Sequence, residues 1–190
     1  MLMNAPAAAE PMPVYIGTYG RGTGQGIHLL ELDTATGKLT NKGLAIETDK
    51  PSFLAWSPDR QRLAAVSEMG RDGVVVLFER DPKSGQWRSR GKQPTGGGAC
   101  HVAFDATGQV LLAANYSGGS LAAFPITNNG ELGERATLIQ HSGPSRVNPQ
   151  RQEAPHVHSV TLDPTGQLVV VADLGCDKLY MYRVGNDAQL

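Results

Sequence analysis

The segment PQRQEAPHVHSV, residues 149–160, gathers the side chains of this chain best suited to chemistry. Arg151 and Gln152 are followed by Pro155, His156 and His158. Residues two apart on an extended segment project to the same side. His156 and His158 are therefore expected to share a face, and Pro155 biases Ala154 toward the extended geometry this needs. A neutral imidazole titrates near working pH and can take a proton from water. A guanidinium either stabilises a developing oxyanion or grips a phosphate or carboxylate with its planar fork. Together these groups suit the attack of water on an ester-like carbonyl in a small anionic substrate, with Gln152 as an orienting hydrogen bonder. Two other readings stay open. The histidines could simply cap loop backbone. They could also bind zinc, which normally needs a third ligand; His101, Glu68, Asp173 and His141 all stand at unpersuasive spacings, so no metal is expected.

The scaffold for these groups is visible as a repeat. LAWSPDRQRLAAVSE (54–68), VAFDATGQVLLAANY (102–116) and VTLDPTGQLVVVADL (160–174) align without gaps. Each has an apolar run, a turn opened by Ser or Asp, and a second apolar run, which is the pattern of a β-hairpin. A further strand follows each hairpin, as in GVVVLFERD, GSLAAFPIT and DKLYMYRVG. The head of the chain, VYIGTYG and QGIHLLELDTATGKLT, matches the later part of such a unit, and no amphipathic helix of useful length is present. Tandem four-stranded units indicate an all-β fold, a β-propeller of which about three and a half blades are present. Gapless self-similarity favours this over a β-sandwich. The units run roughly 13–48, 49–96, 97–150 and 151–190, after a flexible tail over residues 1–12. A partial ring leaves sheet edges open. A C-terminal half or a second copy is therefore expected to close it.

In this frame the innermost strands begin near Ser52, Cys100 and His158. Glu68, Tyr116 and Leu174 occupy equivalent positions just after the second hairpin strand, and Asn115 and Asp173 correspond to Ser67. Glu68 is a candidate acid or base, or else a surface carboxylate beside Arg71. Asn115, Tyr116 and Asp173 are candidate substrate binders, or else turn formers. His101 suits the site or the core. Trp56 is expected in the core, and Cys100 has no compelling base partner that would make it a nucleophile.

Composition removes other classes. Charged residues are 18% and the net charge is −1, so the basic footprint of a nucleic-acid binder is absent. No apolar run is long enough to span a bilayer. MLMNAPAAAEPMP lacks the cationic start and apolar core of a signal peptide. Two cysteines, Cys100 and Cys176, give no disulfide framework. A cytoplasmic protein with reduced thiols is expected. GTYGRGTGQG is glycine-rich but precedes a strand rather than a helix, so it is no dinucleotide fingerprint, and no cofactor is expected.

YIGTYGRGTGQGIHLLELDTATGKL, AANYSGGSLAAF and RQEAPHVHSVTLDPTGQLVVVADLGCDKLYMY, in this order, resemble the lactonase family of seven-bladed propellers. Bacterial 6-phosphogluconolactonases belong to it, and fungal carboxymuconate cyclases are relatives. The resemblance runs from about Val14 to Val184 and covers the N-terminal half of such proteins. It implies hydrolysis of a sugar lactone, most readily 6-phospho-D-glucono-1,5-lactone in the oxidative pentose phosphate pathway, with muconate cyclisation as a related alternative. It places the family's RQ and HxH pattern on Arg151, Gln152, His156 and His158. The contrasting expectation is a non-catalytic propeller serving as a binding platform.

Overall fold

Both kinds of apolar pattern, alternating and continuous, find a place in four antiparallel sheets. The computed structural model describes residues 10–20 and 25–190. Strands β1 (Met12–Gly17), β2 (Ile27–Leu32) and β3 (Leu39–Ile46) form the first sheet. The second holds β4 (Pro51–Trp56), β5 (Arg62–Ser67), β6 (Val74–Arg80) and β7 (Trp87–Pro94). The third holds β8 (Ala99–Phe104), β9 (Val110–Asn115), β10 (Ser120–Pro125) and β11 (Thr137–Gln140). The fourth holds β12 (Val157–Leu162), β13 (Leu168–Asp173) and β14 (Lys178–Arg183). Strands pair in chain order within every sheet, giving a partial propeller-like array. Residues 1–9 of the expected tail, and residues 21–24 of the glycine-rich loop, lie outside the described residues; Met12 already belongs to β1.

The three repeated turns close the hairpins by the same device. The Asp105 carboxylate accepts the backbone N–H groups of Thr107, Gln109 and Val110. Asp163 repeats this with Thr165 and Leu168, and the Ser57 hydroxyl accepts from Arg62 N–H.

Three apolar layers lie between the sheets. Leu63 and Ala65 face the first sheet, in a cluster with Ile27 and Ile46. Ala64 and Val66 face the opposite way, toward Leu111, Ala113 and Phe124. Leu112 and Ala114 face the fourth sheet, with Val160 and Val171. A strand covered on both faces has no polar side, which is why β5 and β9 read as continuous apolar runs rather than as alternation. Leu63, Leu111, Leu112, Leu121 and Phe124 are fully buried, and each contributes about 1.5–3 kcal/mol relative to exposure. Trp56, expected in the core, is instead 40% exposed. It ends edge strand β4 and packs edge-on against Tyr15 at 5.5 Å.

β4, β8 and β12 are edge strands of their sheets, and β8 contacts both of the others. Each carries the same irregularity. Pairing slips between Pro51 and Phe53, between Ala99 and His101, and between Val157 and Ser159. Ser52, Cys100 and His158 are the residues left at these bulges. A bulge re-aims its side chain and bends the strand.

Candidate active site

The segment leading into β12 is much longer than its counterparts. It spans residues 141–156, whereas residues 47–50 and 95–98 suffice before β4 and β8. A turn at Asn148 folds it back, with Arg151 and Gln152 N–H both donating to the Asn148 carbonyl. The Gln152 side chain completes the turn: its Oε1 accepts Asn148 N–H at 2.7 Å and its Nε2 donates to the Leu174 carbonyl at 3.0 Å. Gln152 therefore shapes the loop, and its amide is already committed. Two glycines let the loop lie close. A Cβ on Gly175 would stand 1.8 Å from the Ala154 carbonyl oxygen, and one on Gly119 2.5 Å from that of Pro155.

Tyr116 is the point where the sequence candidates converge. His156 stacks on its ring at 4.4 Å and 15°. His158 meets the same ring edge-on at 5.6 Å and 87°. The Arg151 guanidinium donates to its hydroxyl at 3.3 Å, which pushes the already high arginine pKa further up. The two histidines do reach one place, but by a different route from simple alternation: His156 precedes the strand and His158 occupies its bulge.

The histidines differ in what they can do. His156 is buried, with Nδ1 3.0 Å from the Tyr116 carbonyl and Nε2 3.1 Å from the Glu153 carboxylate. The Glu153 carboxyl is held below its usual range by its own backbone N–H and by His156. Both ring nitrogens of His156 are thus engaged by oxygens of neighbouring residues. His158 is exposed, and neither of its ring nitrogens is bonded to a described residue. It borders an open hollow of about 480 Å³ with Ser159, Leu174, Asp177 and Lys178.

Glu68 and His101 each have neighbours of their own. The Tyr19 hydroxyl donates to Glu68, and this bond is the main cause of a raised Tyr19 pKa. His101 is half-buried and packs on Phe53 with ring centres 4.0 Å apart and the planes tilted by 32°. Burial is the main cause of its lowered pKa, with nearby His158 adding to it. The Cys100 Sγ is 3.3 Å from the His158 carbonyl, and burial, then Glu68, pushes its thiol up to about 11, so it remains protonated.

Two expected substrate binders have buried side chains engaged in backbone ties, although Asp173 also borders the hollow beside His158. Asn115 is fully buried, with its amide donating to the Thr95 carbonyl and Ser120 hydroxyl. Asp173 is also buried and accepts His156 N–H at 2.8 Å and Cys176 N–H at 2.9 Å. Ser67 does the same work in the second sheet, donating to the Asp49 carbonyl. Residues at this repeat position tie the segment that enters the inner strand. Tyr19, Glu153 and the pair His141–Tyr182 escaped the sequence reading. The repeat did not point to Tyr19, because in TYG, EMG and YSG, just past β1, β5 and β9, the residue equivalent to Glu68 and Tyr116 is Thr18. Among the described residues no three His, Cys, Asp or Glu side chains are grouped to hold a metal ion. No helix among them is long and apolar enough to cross a membrane.

Comparison with known proteins matches residues 13–190 to the family described as lactonase, 7-bladed beta-propeller. A 6-phosphogluconolactonase of Bacillus subtilis is 33% identical over 171 residues, which is 90% of this chain and 48% of that protein. One from Formosa agariphila is 25% identical, over 92% of this chain and 50% of its own. The solved structure of the periplasmic gluconolactonase of Pseudomonas aeruginosa superimposes with a TM-score of 0.82 and 32% identity, covering 92% of this chain and 50% of that one. A Bacteroides fragilis structure gives 0.84 and 28%, covering 96% and 51%. The chain thus spans about half the length of the relatives it matches.

Proposed function

The chain belongs to the lactonase family of seven-bladed β-propellers, and from that premise we propose that it hydrolyses a sugar lactone, 6-phospho-D-glucono-1,5-lactone, in the cytoplasm. The observation that carries this is the convergence of His156, His158 and Arg151 on Tyr116. The unengaged His158 is the general base. It takes a proton from water as the oxygen attacks the ring carbonyl, then returns it to the ring oxygen as the C–O bond of the tetrahedral intermediate breaks. No redox equivalent is consumed. His156, held in place by Tyr116 and Glu153, forms part of the polar surround of the developing oxyanion. Arg151, tethered through Tyr116, grips the substrate's anionic group. The gluconolactonase relative makes the unphosphorylated lactone the second substrate to assay.

Closure of the ring belongs to the same proposal. Leu179 and Met181 on β14 are each 71% exposed, an apolar face suited to a further blade from a C-terminal half or a second copy. Native mass distinguishes a longer covalent chain, a dimer and a monomer.

The test is hydrolysis of both lactones by the chain and by His158→Ala. Loss of a general base is expected to lower kcat by about 10²–10⁴-fold, with the thermal unfolding midpoint unchanged. A folded protein that hydrolyses neither lactone in its closed assembly, or a His158→Ala variant with full turnover, would leave the binding-platform reading standing.

A further inference from the structure

Behind the Tyr116 cluster lies a chain of buried polar groups that the proposed reaction does not use. The Tyr182 hydroxyl is 2.9 Å from His141 Nε2, and His141 Nδ1 is 2.7 Å from Asp173 Oδ2. The other Asp173 oxygen accepts the N–H groups of His156 and Cys176. The His141 and Asp173 side chains are 1% and 0% exposed. Burial alone would raise the Asp173 pKa; the donors from His156, Cys176 and His141 hold it below the usual value instead. Asp173 is therefore a carboxylate, and His141 Nδ1 carries the hydrogen between them. Nε2 faces the Tyr182 hydroxyl, whose pKa burial pushes up. The His141 ring is sandwiched by packing as well, 4.0 Å from that of Tyr180.

The equivalent ties elsewhere are simpler and run in the opposite sense. Ser67 and Asn115 donate to a carbonyl of the incoming segment, with no histidine behind them. A neutral hydroxyl or amide is evidently enough to hold a strand approach. A buried carboxylate is costly unless several donors satisfy it. Of these three ties only that of the fourth sheet uses one, at the place where the incoming segment carries the histidines. The same carboxylate also clasps both ends of residues 141–156, since His141 is the first of them and His156 the last.

We propose that Tyr182–His141–Asp173 is a positioning relay, which fixes the His156 backbone and so sets the angle at which His156 and His158 meet Tyr116. In this role Asp173 and His141 act through the His156 backbone. The relay rests on the lactonase reading only for its effect on turnover.

The test uses three variants of the full chain, His141→Leu, His141→Asn and Tyr182→Phe, with kinetics and nitrogen-15 NMR. In the unmodified protein the His141 side chain should show hydrogen on Nδ1 and none on Nε2, and the His156 amide should show the downfield shift of a bond to carboxylate. His141→Leu should move that amide resonance upfield and lower kcat by about 10- to 100-fold, the scale of a slightly misplaced reacting group, with KM nearly unchanged. His141→Asn keeps a donor toward Asp173 and should recover most of both losses. Tyr182→Phe removes a single hydroxyl and should give a smaller shift of the same amide, which decides the matter if His141→Leu does not fold. A proton on Nε2 with a bare Nδ1, a His156 amide indifferent to these changes, or a His141→Asn variant as impaired as His141→Leu would overturn the relay. If neither lactone is turned over by the unmodified protein, the tautomer and the amide shift still decide it independently.

Discussion

Tyr19 and Tyr116 both stand just past the strand that precedes them, on the same rim of the array, and each offers its hydroxyl to a charged partner. The partners have opposite sign. Tyr19 meets the Glu68 carboxylate, which comes from an equivalent strand end; Tyr116 meets the Arg151 guanidinium, which comes from the long segment 141–156. Around Tyr19 only the repeat supplies side chains, and the result is a carboxylate with a phenol donor. Around Tyr116 an inserted loop adds the His156 imidazole and a guanidinium, and the β12 bulge adds the second imidazole, His158. The sheets supply the place and one imidazole, and loop length supplies the rest of the chemistry, as expected where a rigid frame carries function on its connections.

The largest test of this contrast replaces the charges. Arg151→Lys loses the planar fork and should lower kcat/KM by roughly tenfold, as the loss of about 1.4 kcal/mol of transition-state binding would. Glu68→Gln should change it by less than about twofold, because a glutamine still accepts from Tyr19. An equal loss in both variants would make the two tyrosine sites one catalytic unit and end the distinction. A lactone titration series on each variant gives both numbers.

Acid stability should separate the regions next. Asp173 has a depressed pKa in the folded state. Its contribution is present above the unfolded carboxylate value of about 3.9 and is lost as the pH falls through the lower folded value. Asp173→Asn should abolish that part of the acid transition in a urea-unfolding series between about pH 2 and 5. Asn115 and Ser67 do not ionise in this range, so their ties should add nothing to it. An Asp173→Asn variant that keeps the full pH dependence would remove Asp173 from the account.

The smallest effect is spectroscopic. The bond to Glu68 raises the Tyr19 pKa, so Glu68→Ala, which removes the acceptor, should bring one tyrosine's ultraviolet titration back toward 10. No movement would mean that the Tyr19–Glu68 bond does not persist in solution.

The fold was legible in the sequence because its repeats carry their own turn chemistry: Asp105 and Asp163 sit at the same register and close the same turns. The site was legible in part. Arg151, His156 and His158 are close in sequence, so a local pattern could find them. Asn115 and Asp173 are polar residues at strand ends, a position that serves equally for lining a site or tying a loop, and the backbone ties they make are visible only in three dimensions. Trp56 misled because an edge strand has the same composition as a covered one. His141 and Tyr182 lie 41 residues apart and carry no spacing signal at all.

The bulges of β4, β8 and β12 have a wider meaning. The same backbone slip presents a hydroxyl at Ser52, a thiol at Cys100 and an imidazole at His158. Because the ladder resumes its register on either side, each is a socket whose side chain can be exchanged without re-pairing the sheet. A ring built from such units holds one interchangeable position per blade facing its neighbours. New reactivity can enter this architecture by single substitution at a socket, while the layers of Leu, Val and Ala that hold the blades together stay as they are.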